Sequence, residues 1–582
     1  MIATEVGKRP PRGIPVLLLG LILLGAVAPL FLDVSLQPLG VRFARGILLG
    51  HDPAFDVLRT AQADRCLRSG QLLLRWAPDF AQGYGTPFFL FYAPGTYYLA
   101  AGLHLLGFDL ATAVKLTFML GILLAGGFAF LLGRDLWGNG GGYLLAALYT
   151  YAPYHLADVY VRASLPESFA FVWPPLILWG AWRYLEGRRR LHWLAMAGGF
   201  AGLVLTHNLA ALMLAPLLGL YLLVLVLSPR AAGCRQALLL TVVSSAGVTA
   251  FFWLPMIREL RHLPLEEEFA HNPVHHYANH FAAPWQLFSR AWSFEVTAPQ
   301  APGGLSLQVG WVHLALWMIA LILLPLLVRR RAPGLRLVVL SLAVAPASIF
   351  MMLPISTPLW AVLPPLQLLL FPWRWLLPAA FAVSVAGAAL VQIPAARRAR
   401  WLVPLTVLVV VAASLPYCRA RYFDPFPTAS IDRALFLGLP HPLATTTHQM
   451  EYLPRGVKRL PVEPALNVFA TPSGCRLDHL RLGSDCHEFI ADCAGPATVR
   501  ARLYYFPGWT IRIDGARLEP PVDPDEGTIG IPLPAGVHRV EVSFEDTPIR
   551  RVGDLTSLAT LVGTAAALGW RRRASSFRSG LR

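Results

Sequence analysis

The sequence predicts a mainly α-helical, polytopic membrane bundle that carries a β-sandwich outside the membrane. Three observations predict it. Of the 582 residues, 55% are hydrophobic and only 14% charged, and the mean hydropathy is +0.53, more than a soluble core requires. Apolar segments near the ~20 residues needed to cross a bilayer recur along the chain. One long stretch, 417–552, is far more polar and alternates with the period of strands. The formal net charge of +16 would suit nucleic acid, but the arginines sit in short clusters between apolar segments. That is the positive-inside pattern and argues against a nucleic-acid partner.

The apolar segments are 14–32, 110–132, 140–154, 168–184, 193–205, 209–227, 237–257, 309–328, 335–350, 375–391, 401–415 and 555–570. The first follows Lys8, Arg9 and Arg12. It is read as a retained span rather than a signal peptide, because no clean small-residue cleavage site follows it and many spans do. A further apolar segment, 87–107, is decided by charge. If it stays out of the bilayer, the clusters Arg134-Asp135, Arg188-Arg189-Arg190, Arg230 to Arg235, Arg329-Arg330-Arg331, Arg397 to Arg400 and Arg571-Arg572-Arg573 all fall on the side of the basic N-terminus. If it crosses, they all fall outside. The bias therefore predicts an interfacial segment, about twelve spans and both termini cytoplasmic. Pro87, Pro94 and Gly95 with Tyr92, Tyr97 and Tyr98 suit that reading.

This topology puts 33–109, 157–167, 258–308, 354–374 and 417–552 outside. In the last of these, alternation over Val499–Tyr505 and Trp509–Ile513 precedes Asp514-Gly515, a hairpin signal, and Val537–Phe544 forms another strand. A small antiparallel β-sandwich is expected. Cys418, Cys475, Cys486 and Cys493 would lie outside, where one or two disulfides can form; small buried thiols are the alternative.

The first outer loop crowds acids, arginines (Arg59, Arg65, Arg68, Arg75) and aromatic residues together. Asp52 and Asp56 are spaced to share a helix face. Carboxylates there can act as a general base on a hydroxyl or hold a divalent cation. The plainer alternative is an N-cap at Asp52, with Pro53 opening the helix and Asp56 solvated. The second outer loop holds Asp158, Arg162 and Glu167. Ionisable groups at a membrane boundary are functional by default, although Asp158 and Arg162 could form a local pair. Thr206-His207-Asn208 interrupts apolar sequence at the same level. Arg374, between Trp373 and Trp375, could grip a phosphate or merely snorkel in an aromatic belt. His271, His275, His276 and His280 include i, i+4 pairs suited to a transition metal, with Pro273 against the helix and no acid or Cys to complete the set. Glu266, Glu267 and Glu268 read as a solvated face. No Walker loop, GxSxG, HExxH or paired CxxC is present.

His51-Asp52, Arg75-Trp76-Ala77-Pro78-Asp79, the run Gly83-Tyr84-Gly85-Thr86-Pro87 through Tyr92, the run Asp158 through Glu167, His207-Asn208 and Phe371-Pro372-Trp373-Arg374 resemble a bacterial family of multi-spanning membrane proteins labelled 6-pyruvoyl-tetrahydropterin synthase-related. The arrangement also resembles the GT-C superfamily of glycosyltransferases. That resemblance implies a GT-C-like module over 1–416, an extracytoplasmic β-domain over 417–552 and a last span with a basic cytoplasmic tail over 553–582, in a bacterial cytoplasmic membrane. It implies inverting transfer of a hexose or pentose from a polyprenyl-phosphate-type lipid to an envelope glycan, lipid or protein. Asp52 would be the first-loop acid and Asp158 or Glu167 the second, with Asp56 a further catalytic candidate and a divalent metal as the one cofactor to consider. The first loop lacks the DxD or Asp-Glu pair that would mark such a metal site. Arg59, Arg75, Tyr84, Tyr92, Arg162, His207, Asn208 and Arg374 would meet the lipid phosphate and sugar. The rival is a transporter or scaffold for envelope polymers. It would need acids or broken helices in mid-span, whereas the acids here cluster at the outer ends.

Overall fold

The computed structural model describes residues 13–36, 39–227, 234–264, 276–294, 304–423, 431, 435, 437, 452–459 and 463–579. Each expected apolar segment carries helix. By length and composition, four helices among the described residues can cross a membrane: Leu110–Thr150, Asn208–Val226, Leu335–Met352 and Pro372–Gln392. The pair Arg235–Val248 and Ala250–His262, bent by 67°, makes a fifth. Against the expected twelve or so, several remaining helices are shorter than a span, and proline explains part of this. Segment 309–328 divides into Trp311–Ile322 and Leu324–Arg329 just before Pro325, whose ring cannot donate the helical hydrogen bond.

Leu110–Thr150 is a hairpin, not one rod. At Gly138 the backbone adopts φ +80°, a region glycine enters without strain. A Cβ on Gly133 would lie 2.5 Å from the Gly141 carbonyl oxygen, and one on Gly142 would lie 2.8 Å from that of Phe130. Residues so far apart along a straight helix could not meet, so the chain reverses at Gly138.

Segment 87–107 forms two short helices, Phe88–Phe91 and Gly95–Leu105. The second has 11 residues, about 16 Å of rise against a hydrocarbon layer of about 30 Å.

Strands occur in two places. In the first loop, β1 (Leu32–Leu36) pairs with β2 (Leu39–Phe43), and β3 (Ile47–Leu48) pairs with β4 (Tyr422–Phe423). The distal domain contains β5 (Phe469–Ala470), β6 (Cys475–Leu482), β7 (Cys486–Cys493), β8 (Ala497–Tyr504), β9 (Trp509–Ile513), β10 (Ala516–Leu518), β11 (Thr528–Leu533) and β12 (Gly536–Phe544). One sheet runs β10-β9-β12-β7-β6 and the other β11-β8-β5, all pairings antiparallel. Alternating residues of both bury one cluster: Phe489, Ile511, Val540 and Val542 from the first, Val499, Leu503, Ile529 and Ile531 from the second. Asp514-Gly515 forms the β9–β10 turn with positive φ at both residues, the turn that matches strand twist. The final helix, Pro548–Ser579, starts earlier than the apolar composition suggested.

Cys475 and Cys493 form a disulfide across β6 and β7, while Cys418 and Cys486 are free thiols. The sequence separation is 18 residues, so Cys475→Ser is expected to destabilise the sheet domain by about 3 kcal/mol. Denaturant unfolding with and without reductant checks this; equal midpoints for wild type and variant under oxidising conditions would refute it.

The first loop shares the core of the sheet domain. Trp76 packs 5.2 Å from Trp509 and 5.1 Å from Phe544, and Tyr84 stacks on Tyr504 at 5.2 Å. Arg75 donates to both oxygens of Asp554, at 2.7 and 2.8 Å, and pairs with Asp546.

Candidate active site

Two loops, one before the helix Pro53–Arg68 and one after the helix Pro153–Tyr160, meet at their backbones. The His51 and Asp52 amides donate to the Arg162 carbonyl, at 3.1 and 2.9 Å. This approach requires Gly50, because a Cβ there would fall 2.5 Å from the Val161 carbonyl oxygen. Buried Ala163 takes φ +48°, a left-handed conformation that costs a residue with a Cβ ~1–3 kcal/mol. The kink turns the chain so that Arg162 and Glu167 face one another.

Glu167, buried, accepts from the Tyr154 hydroxyl at 2.6 Å on Oε1. Its Oε2 lies 2.8 Å from Arg162 Nη1 and accepts from Arg374 Nε at 3.1 Å. Burial alone would raise its pKa, but Arg162 and Arg374 overcome that and hold the carboxyl below the usual range. Arg162 also pairs with buried Asp158, and its Nη2 lies 3.7 Å from Asp52 Oδ2. Its guanidinium lies 4.8 Å from the centre of the Trp373 ring. Asp158 Oδ2 has no hydrogen-bond partner among the described residues, and burial pushes this carboxyl above its ordinary range. Arg374 donates from Nη1 to the Leu369 carbonyl at 2.6 Å.

Beside this group, Asp56 opens the helix Pro53–Arg68 from within. Its Oδ1 accepts from the Tyr97 hydroxyl at 2.8 Å and its Oδ2 from the Leu165 amide at 2.9 Å. It therefore ties the first loop to the second. Burial raises its pKa to about 7, although Arg59 opposes the shift. Arg59, 3.9 Å from Asp56, sits over the rings of Tyr92, Phe88 and Phe55 at 4.6, 5.0 and 5.7 Å. Its Nε has no hydrogen-bond partner among the described residues. Three guanidiniums, of Arg59, Arg162 and Arg374, thus face carboxylates of which two, Asp56 and Asp158, are pushed toward the neutral form.

A carboxyl raised by burial binds more protons folded than unfolded, so its contribution to stability falls as pH rises between its unfolded and folded pKa. For Asp56 that window is from about 4 to about 7. Asp56→Asn is expected to flatten the decline of the thermal midpoint over that range. Parallel melting curves for wild type and variant from pH 4.5 to 7.5 would count against it.

The remaining sequence-predicted residues divide. Asp52 is the N-cap residue and Pro53 opens the helix, as the plainer alternative held, but Asp52 makes no side-chain cap bond; its partly exposed carboxylate faces Arg162, and Asp56 is buried rather than solvated. Tyr92 and His207 join the cluster, with rings 6.4 Å apart. The His207 Nδ1 accepts from the Ala210 amide at 3.0 Å, and burial lowers its pKa to about 3 despite nearby Glu167; it is neutral. Asn208 donates to the Phe91 carbonyl at 3.1 Å and ties the start of its helix to segment 87–107. Arg75 and Tyr84, expected at the substrate, make their contacts with the sheet domain and the last helix. His271 and His275 lie outside the described residues. His276 stacks on Tyr277, and buried His280 packs against Phe371. No group of three His, Cys, Asp or Glu among the described residues could hold a metal. The site's carboxylates fit a metal poorly, because Glu167 and Asp56 have both oxygens committed to other donors. Tyr97 and Tyr154 are the participants that sequence reasoning missed. Tyr97 is noted in the sequence only as an aromatic of segment 87–107, and Tyr154 only ends the apolar segment 140–154.

No family model matches the chain, which leaves the 6-pyruvoyl-tetrahydropterin synthase-related label without support. An uncharacterized protein of Lactococcus lactis subsp. cremoris (strain MG1363) is 26% identical over 223 residues, 36% of this chain and 36% of that protein. The chain therefore matches about a third of that relative's length. Among solved structures, the chain is similar to the arabinofuranosyltransferase AftD from Mycobacteria, with TM-score 0.41 and 15% identity, covering 72% of this chain and 28% of AftD. It is also similar to the Archaeoglobus fulgidus oligosaccharyltransferase, with TM-score 0.42 and 11% identity over 79% of this chain and 62% of that one. For ArnT from Cupriavidus metallidurans bound to undecaprenyl phosphate, the TM-score is 0.35 and the identity 14%, over 76% of this chain and 78% of ArnT. At such remove the likeness assigns no role to any residue of this chain.

Proposed function

We propose that this chain is a membrane glycosyltransferase of the GT-C kind, moving a sugar from a polyprenyl-phosphate-type lipid to an envelope glycan, lipid or protein at the outer face of the membrane. One observation carries the reading. Of four acids brought together by two loops, Asp56, Asp158 and Glu167 are sealed, while Asp52 keeps a side chain 30% exposed, 3.7 Å from Arg162. A base that an acceptor can reach thus stands next to guanidiniums that an anionic leaving group needs.

In the proposed reaction, Asp52 takes the proton of the acceptor hydroxyl as its oxygen attacks the anomeric carbon. The bond from that carbon to the lipid phosphate oxygen breaks, and the electron pair leaves with the phosphate. Arg59, Arg162 and Arg374 stabilise the charge that grows there. Attack opposite the phosphate inverts the anomeric centre. Glu167 and Asp158 act through the arginines they hold, and the interfacial helix Gly95–Leu105 borders the path of the lipid tail. About twelve spans, cytoplasmic termini and an outer sheet domain belong to the same proposal.

The test is the full chain in liposomes with radiolabelled polyprenyl-phosphate pentoses and hexoses and a panel of envelope acceptors. Covalent transfer with release of lipid phosphate is expected. Flux of an envelope polymer or lipid-linked sugar without any covalent change would overturn the proposal in favour of a transporter.

A further inference from the structure

A basic cleft lies away from the acid cluster, between the helices Ala250–Glu259 and Pro548–Ser579. These helices touch closely. The Phe251 amide donates to the Ser557 hydroxyl at 2.8 Å, and a Cβ on Gly553 would sit 2.8 Å from the Ala250 carbonyl oxygen. Above the contact they part around a cleft of about 710 Å³, lined by Arg258, Arg261, His262, Ile257, Ile549 and Val552 among others.

Among the described residues the charge of this cleft is one-sided. Its single carboxylate, Glu259, is consumed within the protein: it accepts from fully buried Arg550 at 2.8 and 3.1 Å and from the Thr547 hydroxyl at 2.6 Å. Arg258 and Arg261, both exposed, have no carboxylate partner among the described residues. Arg455, whose amide donates to the His262 carbonyl at 2.8 Å, adds a third cation nearby.

Below the basic rim the walls are apolar and open. Ile257 is 58% exposed on one helix. On the other, Val552, Leu555, Leu558 and Val562, each more than half exposed, recur at helical spacing as one stripe. A soluble ligand has no use for such a stripe, and a lipid-facing helix end has no need of two arginines above it that lack a carboxylate partner among the described residues. Together they match a molecule with an anionic head and hydrocarbon tails.

We propose that this cleft binds an anionic phospholipid, its phosphate between Arg258 and Arg261 and its acyl chains along Ile257 and the stripe from Val552 to Val562. The site fastens the end of the last helix, and with it the sheet domain, to the outer leaflet. Basic residues at a membrane surface contribute about 1 kcal/mol each toward anionic lipid.

The experiment is native mass spectrometry of the full chain released from detergent after equilibration with phosphatidylglycerol, phosphatidylcholine or undecaprenyl phosphate. Wild type is expected to retain one phosphatidylglycerol in preference to phosphatidylcholine. Arg258→Gln with Arg261→Gln is expected to weaken that binding on the order of thirtyfold, about 2 kcal/mol at ~1.4 kcal/mol per decade. The double change leaves exposed positions polar, so folding is not at stake. A control, Arg539→Gln on an exposed strand position, should leave binding unchanged. Equal retention of phosphatidylcholine, equal retention by the double variant, or retention of undecaprenyl phosphate alone would each overturn the proposal.

Discussion

Asp52→Asn is expected to lower sugar transfer by ~10²–10⁴-fold, the range for loss of a positioned general base. Among the four clustered acids it is the one whose removal should leave the fold untouched. Its side chain is 30% exposed and contacts Arg162 at 3.7 Å, too long for a hydrogen bond to be lost. The measurement is initial rate with a radiolabelled lipid-linked sugar, alongside the thermal midpoint of the same preparation. Transfer at the wild-type rate would remove Asp52 from the chemistry. A matching collapse of the midpoint would mean that the acid is structural after all. Asp52→Glu, which keeps the carboxylate but moves it by about one methylene, should recover part of the rate.

Glu167→Ala is expected to act in the opposite register, on stability before rate. The carboxylate is 1% exposed and balances two guanidiniums that are themselves buried. Removing one partner of such a group leaves uncompensated charge behind and costs ~3–5 kcal/mol, more than the group contributes when intact. The sign with pH follows from its lowered pKa. A depressed carboxyl supports the fold above its unfolded pKa of about 4.3 and loses that support as pH falls through the folded value. The gap between wild type and Glu167→Ala should therefore be full at pH 6 and narrow in strong acid, which chemical denaturation at several pH values can follow. A gap that widened on acidification would contradict the ion-pair account. Asp56 has the opposite slope, because burial rather than a guanidinium dominates its shift.

Much of this molecule is legible from its sequence, and the parts that are not share a cause. The β9–β10 turn follows from Asp514-Gly515 between alternating strands, because local backbone geometry sets it. The break of 87–107 into the short helices Phe88–Phe91 and Gly95–Leu105 falls at Pro87, Pro94 and Gly95. The reversal at Gly138 falls where two apolar segments are separated by a glycine-rich, charged connection. The grouping of Asp52, Asp158, Arg162, Glu167 and Arg374 is legible because ionisable groups at membrane boundaries rarely stand there idle. What sequence does not convey is which oxygen is already occupied. Asp52 and Asp56 look alike on paper, but Tyr97, 41 residues away, and Leu165, 109 residues away, close Asp56 and leave Asp52 open. Arg75 and Tyr84 likewise sit in a motif beside the acids, and only the folded chain shows them turned to strands and a helix hundreds of residues later.

That last contact has a bearing on time. Arg75 is joined to Asp554, 479 residues downstream, and Trp76 beds against Trp509 and Phe544. At a synthesis rate of ~5–20 residues per second, the first loop waits roughly half a minute to a minute and a half for its partners to leave the ribosome. Until then Arg75 has no counter-charge and Trp76 no cover. The segment that emerges among the first is thus among the last to set, and a chain truncated before the sheet domain would present an unfinished loop to any substrate it met.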